Sequence, residues 1–156
     1  MKKIKLLFLV GLFSIYCLVM IYLLFLSRPL RLDHSIGDFF QHNSNFVPFK
    51  TIMEYIERYK NGFRTASFIN LAGNLFAFFP MGIFLPCLFK SMRRFGRFFL
   101  SISGIVVLVE ITQLFLRAGV IDIDDVIFNV FGAVVGYTFV VLPLACKHFK
   151  KTNSHS

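Results

Sequence analysis

Charge is scarce in this sequence: 16% of its 156 residues are Asp, Glu, Lys or Arg, where ordinary soluble domains carry about 25%. Paired cysteines are missing as well. Cys17, Cys87 and Cys146 lie within or at the ends of apolar runs and form no CxxC, which excludes a disulfide framework and a thiolate zinc site. None of the 4 histidines falls in an apolar run: His34 and His42 lie in a polar segment, His148 and His155 near the C-terminus. HExxH and GxSxG are absent, so nothing points to a zinc peptidase or a serine hydrolase of those types. Internal repeats and low-complexity segments are also lacking.

What is present is hydrophobic, at 56% of the chain. Runs of about twenty apolar residues mark membrane spans, and four stand out, at about 6–26, 68–89, 98–116 and 126–146. They predict an all-α membrane protein: a four-helix transmembrane bundle forming a single domain over residues 1–156. The first run is longer than the roughly 7–15-residue core of a signal peptide, so it reads as a retained anchor. A net charge of +9 would suit nucleic acid, but the Lys and Arg residues cluster at the ends of the apolar runs. That is the pattern of topology signals, with anionic lipid headgroups as partners and no nucleic acid.

The same distribution sets the expected orientation. With both termini cytoplasmic, the inner side carries Lys2, Lys3, Lys5, Lys90, Arg93, Arg94, Arg97, Lys147, Lys150 and Lys151 and no acid. Every Asp and Glu except Glu110 then falls outside, as the positive-inside rule favours. The expected location is the bacterial cell membrane, multi-pass, with residues 27–67 extracytoplasmic. Within that segment Thr51 and Glu54 have capping-box spacing. Ile52, Tyr55, Ile56 and Tyr59 follow on one face of a short amphipathic helix that Asn61-Gly62 ends. Such a helix suits the membrane interface or a cap over the bundle mouth, and its sequence leaves both open.

The polar residues inside the spans carry the functional reading. Glu110, Gln113 and Arg117 share one helix face, and Asp122, Asp125 and Asn129 repeat the spacing at the start of the next. Asn70 and Asn74 stand one turn apart in the second span. At about 1.5 Å per residue, Asn74 and Glu110 both lie about 9 Å below the outer boundary, with Asn129 shallower and Arg117, Asp122 and Asp125 at the rim. Polar groups facing hydrocarbon are costly, so these side chains are expected to turn inward as one cluster. Asp122, Asp124 and Asp125 offer oxygen ligands of the kind divalent cations take. Without EF-hand spacing they read instead as a solvated turn, and no metal or cofactor is expected. Gly132 and Gly136 form a GxxxG that suggests close helix approach.

Several of these stretches resemble the VanZ-like family of small bacterial membrane proteins. NFVPFKTI is similar to its Pro-Phe segment, NLAGNLFAFFPMGIFLP to its Asn/Pro/Gly helix, and EITQLF with DIDDVIFNVFGAVVGY to its most specific signature. The resemblance spans most of the chain after the first helix. It places Asn70, Asn74, Pro80, Gly82, Glu110, Gln113, Asp122, Asp125, Asn129 and Gly132 on motif positions. It implies a link to low-level resistance to teicoplanin, a lipid-tailed glycopeptide antibiotic, and brings no settled molecular activity with it.

Two functions of different class follow. In the first, a polar pocket under the outer surface, built from Asn70, Asn74, Glu110, Gln113, Arg117, Asp122, Asp125 and Asn129, binds or shields a lipoglycopeptide or a lipid-linked cell-wall ligand. In the second, Glu110 and Asp125 act as general acid and base in an intramembrane enzyme acting on a membrane lipid or lipid-linked substrate. Oligomeric state is not legible.

Overall fold

A computed structural model describes residues 2–27, 44–60, 72–116 and 121–153. Helix α1 (Lys2–Ile21) continues into a π-helical turn, Tyr22–Leu26, closed by the Ser27 N–H on the Tyr22 carbonyl at 2.9 Å. The amphipathic helix α2 is Lys50–Lys60. An apolar helix α3 (Ala72–Leu88) leads through a 3-10 turn, Lys90–Arg93, into α4 (Phe95–Phe115). The last helix, α5, is Ile123–Asn153. The described residues are helical apart from turns and a two-residue parallel bridge that pairs Ser44 with Ile121 and Asn45 with Asp122.

Among the described residues, three helical stretches are long and apolar enough to cross a membrane: Lys3–Leu26, Phe95–Phe115 and Ile123–Leu144. The second expected span, 68–89, enters the described residues only at Ala72, and its described part, Ala72–Leu88, is shorter than the other three helices. It is also interrupted. Phe78 (φ −95°, ψ −3°) forms a bend while staying in the right-handed region, and Pro80 sits in the first turn of the segment Phe79–Leu88 that resumes after it. Proline has no N–H to give the preceding turn but is tolerated where a helix begins. A side chain from α1 fills the gap: the Tyr16 hydroxyl donates to the Ala77 carbonyl at 2.7 Å, and the Met81 N–H faces the Tyr16 hydroxyl oxygen. A hydroxyl inserted into the i→i−4 ladder is a recognised cause of a kink.

Glycines set how α3 meets α5. A Cβ on Gly132 would lie 1.9 Å from the Leu75 carbonyl oxygen, one on Gly136 2.1 Å from that of Phe79, and one on Gly82 2.0 Å from that of Ala133. These contacts advance together along both chains, so α3 and α5 run parallel with their backbones touching. The close approach expected of the GxxxG is present. Helix α4 runs the other way: Phe98, near its start, stacks on Tyr137, late in α5, with centroids 4.4 Å apart. The Tyr137 hydroxyl donates to the Arg93 carbonyl at 2.6 Å, and Arg93 Nε donates to the Pro86 carbonyl at 3.1 Å. That pair of bonds locks the basic turn between α3 and α4.

The core is divided along its length. On α4 the buried stripe reads Phe98, Ile102, Val106, Glu110, Gln113, which is helical spacing throughout. Its apolar part packs with Phe78, Leu85, Ala133 and Tyr137. Towards the far end of α4 the same face turns polar.

Candidate functional site

The polar end is built from three helices and the segment before α2. Glu110 (5% exposed) and Gln113 (2%) come from α4, and Asn129 (4%) from α5. Glu110 lies five residues before the end of α4 and Asn129 six residues after the start of α5. At about 1.5 Å per residue that places them some 8–9 Å from the same end of two antiparallel helices. Asn74 comes from the upper turn of α3 and donates from Nδ2 to Asp125 Oδ1. Asp125, Asn129, Gly132 and Gly136 form one stripe on α5, so the face that carries the carboxylate and the amide also carries the glycines that let α3 approach.

Gln113 goes elsewhere. Its Nε2 donates to the Leu24 carbonyl at 3.1 Å, inside the π-helical turn that ends α1. Carbonyls in the last turn of a helix lack partners within it, and Gln113 uses this one to tie α1 to α4. Asn129 Oδ1 is sealed from solvent and accepts no hydrogen bond among the described residues. Asn70 and Arg117 lie outside the described residues, and so does the expected ion pair of Arg117 with Asp122 or Asp125.

The acidic turn corrects one expectation. It is not solvated: Asp122 is 7% exposed and Asp124 1%. Asp124 accepts the backbone N–H groups of Phe49 at 2.6 Å and of Thr51 at 2.9 Å, one on each carboxylate oxygen. The Thr51 amide belongs to the first turn of α2, where a helix has no partners of its own for it, and the Phe49 amide lies just before that turn. A carboxylate there is favoured by the helix dipole as well. Asp122 accepts the Thr51 hydroxyl at 2.5 Å on Oδ2, and the Asn45 amide at 3.2 Å and the Asp124 N–H at 2.9 Å on Oδ1. Asn45 also donates to the Thr51 hydroxyl at 2.9 Å.

Thr51 therefore does not cap its own helix as the Thr51/Glu54 spacing predicts. Helix α2 begins at Lys50, the Thr51 hydroxyl is spent on Asp122, and Asp124 from α5 supplies the cap. Phe49, at the join, has φ 66°, a left-handed conformation costing a side-chain-bearing residue of order 1–3 kcal/mol. Its N–H bond to Asp124 offsets that cost.

The apolar face expected on α2 also divides. Ile52 and Tyr55 are half-buried, while Ile56 and Tyr59 are exposed together with Met53 and Phe49.

The described residues are almost all helical, three of their helices are of membrane-crossing length, and large apolar side chains are exposed along them: this is a membrane protein. The family model described as VanZ/LLP1 matches residues 13–144, and the chain belongs to that family. No curated protein and no solved structure matches it at a significant level.

Proposed function

We propose that this membrane protein crosses the bilayer four times, with both termini cytoplasmic, and lowers susceptibility to teicoplanin-type lipoglycopeptides by binding or shielding at the outer leaflet. Family membership supports the resistance reading, and the acid-free basic ends of the apolar runs support the orientation. The observation that carries the site is the division of the core. Glu110, Gln113, Asn129 and the Asn74–Asp125 pair gather at the end where α2 is latched, and the opposite half is filled by Phe98, Ile102 and Val106. Asp122 completes the proposed binding set among the described residues, and Asn70 and Arg117, which lie outside them, are proposed with it. The chemistry such a site fits is an amphiphile with hydroxyl or amide groups near the membrane surface, either a lipid-tailed glycopeptide or a lipid-linked cell-wall ligand.

The enzymatic alternative draws on the burial of Glu110, with Asp125 beside Asn74 as its partner acid or base. Two measurements separate the readings. Cells expressing the protein should tolerate more teicoplanin than controls but no more of a glycopeptide lacking the lipid tail; unchanged teicoplanin susceptibility would overturn the proposal. Reconstituted Glu110→Gln protein should lose lipoglycopeptide binding along with the phenotype. Retained binding without the phenotype would favour chemistry instead.

A further inference from the structure

Helix α2 has a second face that the latch leaves uncovered. Phe49, Met53, Ile56 and Lys60 recur at helical spacing, with Val47 beside them. Met53 is 69% exposed, Val47 59%, Phe49 54% and Ile56 51%. The left-handed backbone at Phe49 hands its N–H to Asp124 while leaving its ring outside. Between Met53 and Lys60 lies an open cavity of about 380 Å³, lined by Met53, Ile56, Glu57 and Lys60. Lys50 and Lys60, both exposed, stand at the two ends of the stripe.

We propose that this face is a docking surface for the phospholipids of the surrounding membrane, with an acyl chain on Met53 and Ile56 and a headgroup phosphate at Lys60. Three observations select that occupant. Height is the first: Asp122 and Asp124, at the very start of membrane-spanning α5, hold Asn45, Phe49 and Thr51. The helix is thereby fixed level with the end of a span, where headgroups meet acyl chains. Charge is the second. Ammonium groups at both ends of an apolar stripe match an interface whose phosphates lie beside its hydrocarbon, the arrangement interfacial amphipathic helices use. Shape is the third, because the cavity puts apolar walls next to one cationic and one anionic group. A phosphate pairs with Lys60, and a headgroup hydroxyl or ammonium donates to Glu57. One side of α2, with Ile52 and Tyr55, is half-buried, and the other rests on lipid. The helix becomes a hinge plate between membrane and site, whatever that site binds.

The test uses the full chain with Cys17, Cys87 and Cys146 replaced by alanine and single cysteines at Met53, Ile56 or Glu54. Each carries an environment-sensitive fluorophore and is reconstituted in mixed phosphatidylcholine–phosphatidylglycerol vesicles. Probes at 53 and 56 should shift to the blue and be quenched by lipids brominated in the acyl chain, while the probe at 54, exposed but off the apolar stripe, should stay wet. Lys50→Gln and Lys60→Gln should each lower the local enrichment of phosphatidylglycerol over phosphatidylcholine about fivefold, the weight of one lysine near an anionic surface. Equal, water-like emission at 53, 56 and 54 would overturn the proposal. So would shielding at 53 that grows with protein-to-lipid ratio and ignores brominated lipid, which would assign the face to a second copy of the chain.

Discussion

The carboxylate of Asp124 accepts the Phe49 N–H at 2.6 Å across a separation of 75 residues, and with the Thr51 N–H it caps a helix to which it does not belong. Removing it strands two donors and takes away the charge that faces the α2 dipole. Charged hydrogen bonds are worth about 1.5–3 kcal/mol each, so Asp124→Ala should cost about 2–4 kcal/mol of stability in detergent. Asp124→Asn keeps one acceptor and should lose about half as much. Hydrogen exchange at the amides of residues 49–53 checks the mechanism: it should rise sharply in Asp124→Ala while α4 stays protected.

That latch was hidden in the sequence for a physical reason. The stripe 122–125–129 is visible because helical spacing is local, and Asp124 lies off it. Its role depends on where residue 49 arrives after a long excursion of the chain, which spacing does not encode. Thr51 misled in the same way, since a Thr three residues before a Glu matches a local cap that the tertiary contact with Asp122 overrides. Gln113 shares a face with Glu110, as its spacing said, but takes a backbone partner in the last turn of α1, a tertiary contact that spacing does not encode. By contrast, the long apolar helices and the glycine stripe of α5 were legible because each is written into a single helix. The break at Phe78 is half local in origin: Pro80 has no N–H to give the preceding turn, and Tyr16 from another helix completes it.

Position 54 tests orientation without disturbing the latch. Glu54 is exposed on α2, so Glu54→Cys, in a chain lacking its native cysteines, should react with a membrane-impermeant maleimide in intact cells. Labelling only after permeabilisation would place α2 inside and remove the outer-leaflet site.

The glycines make a sharp contrast. Gly132→Ala must push its Cβ against the Leu75 carbonyl, 1.9 Å away, and Gly136→Ala against that of Phe79 at 2.1 Å; around Gly104 nothing lies within 4 Å. Backbone cannot move aside as a side chain can, so the first two should cost at least about 1–3 kcal/mol as overpacking. Gly104→Ala, in the interior of α4, should instead gain about 0.5–1 kcal/mol from helix propensity. Thermal melts of the three variants in one detergent decide the matter, and equal melting temperatures would show that α3 and α5 do not touch through these glycines.

The Asn74–Asp125 pair offers the cleanest separation of structure from function. Asn74 donates from its amide and Asp125 accepts on its carboxylate, so the two roles can be exchanged between helices without changing the composition of the site. Asn74→Asp alone sets two carboxylates against each other in a half-buried place, where like charges cannot both be accommodated at ordinary pH. Asp125→Asn alone leaves two amides, which still pair but carry no charge. The double exchange, Asn74→Asp with Asp125→Asn, restores one donor and one anion. A coupling energy of about 1–3 kcal/mol is expected for residues in direct contact, and it should appear as recovery of thermal stability in the double variant over Asn74→Asp. Resistance then reads the second property. If the site needs a hydrogen-bonded anion at this level, the double variant should regain much of the teicoplanin tolerance that both single variants lose. If it needs a carboxylate on α5 in particular, as a proton-transfer role for Asp125 requires, stability should return while tolerance does not.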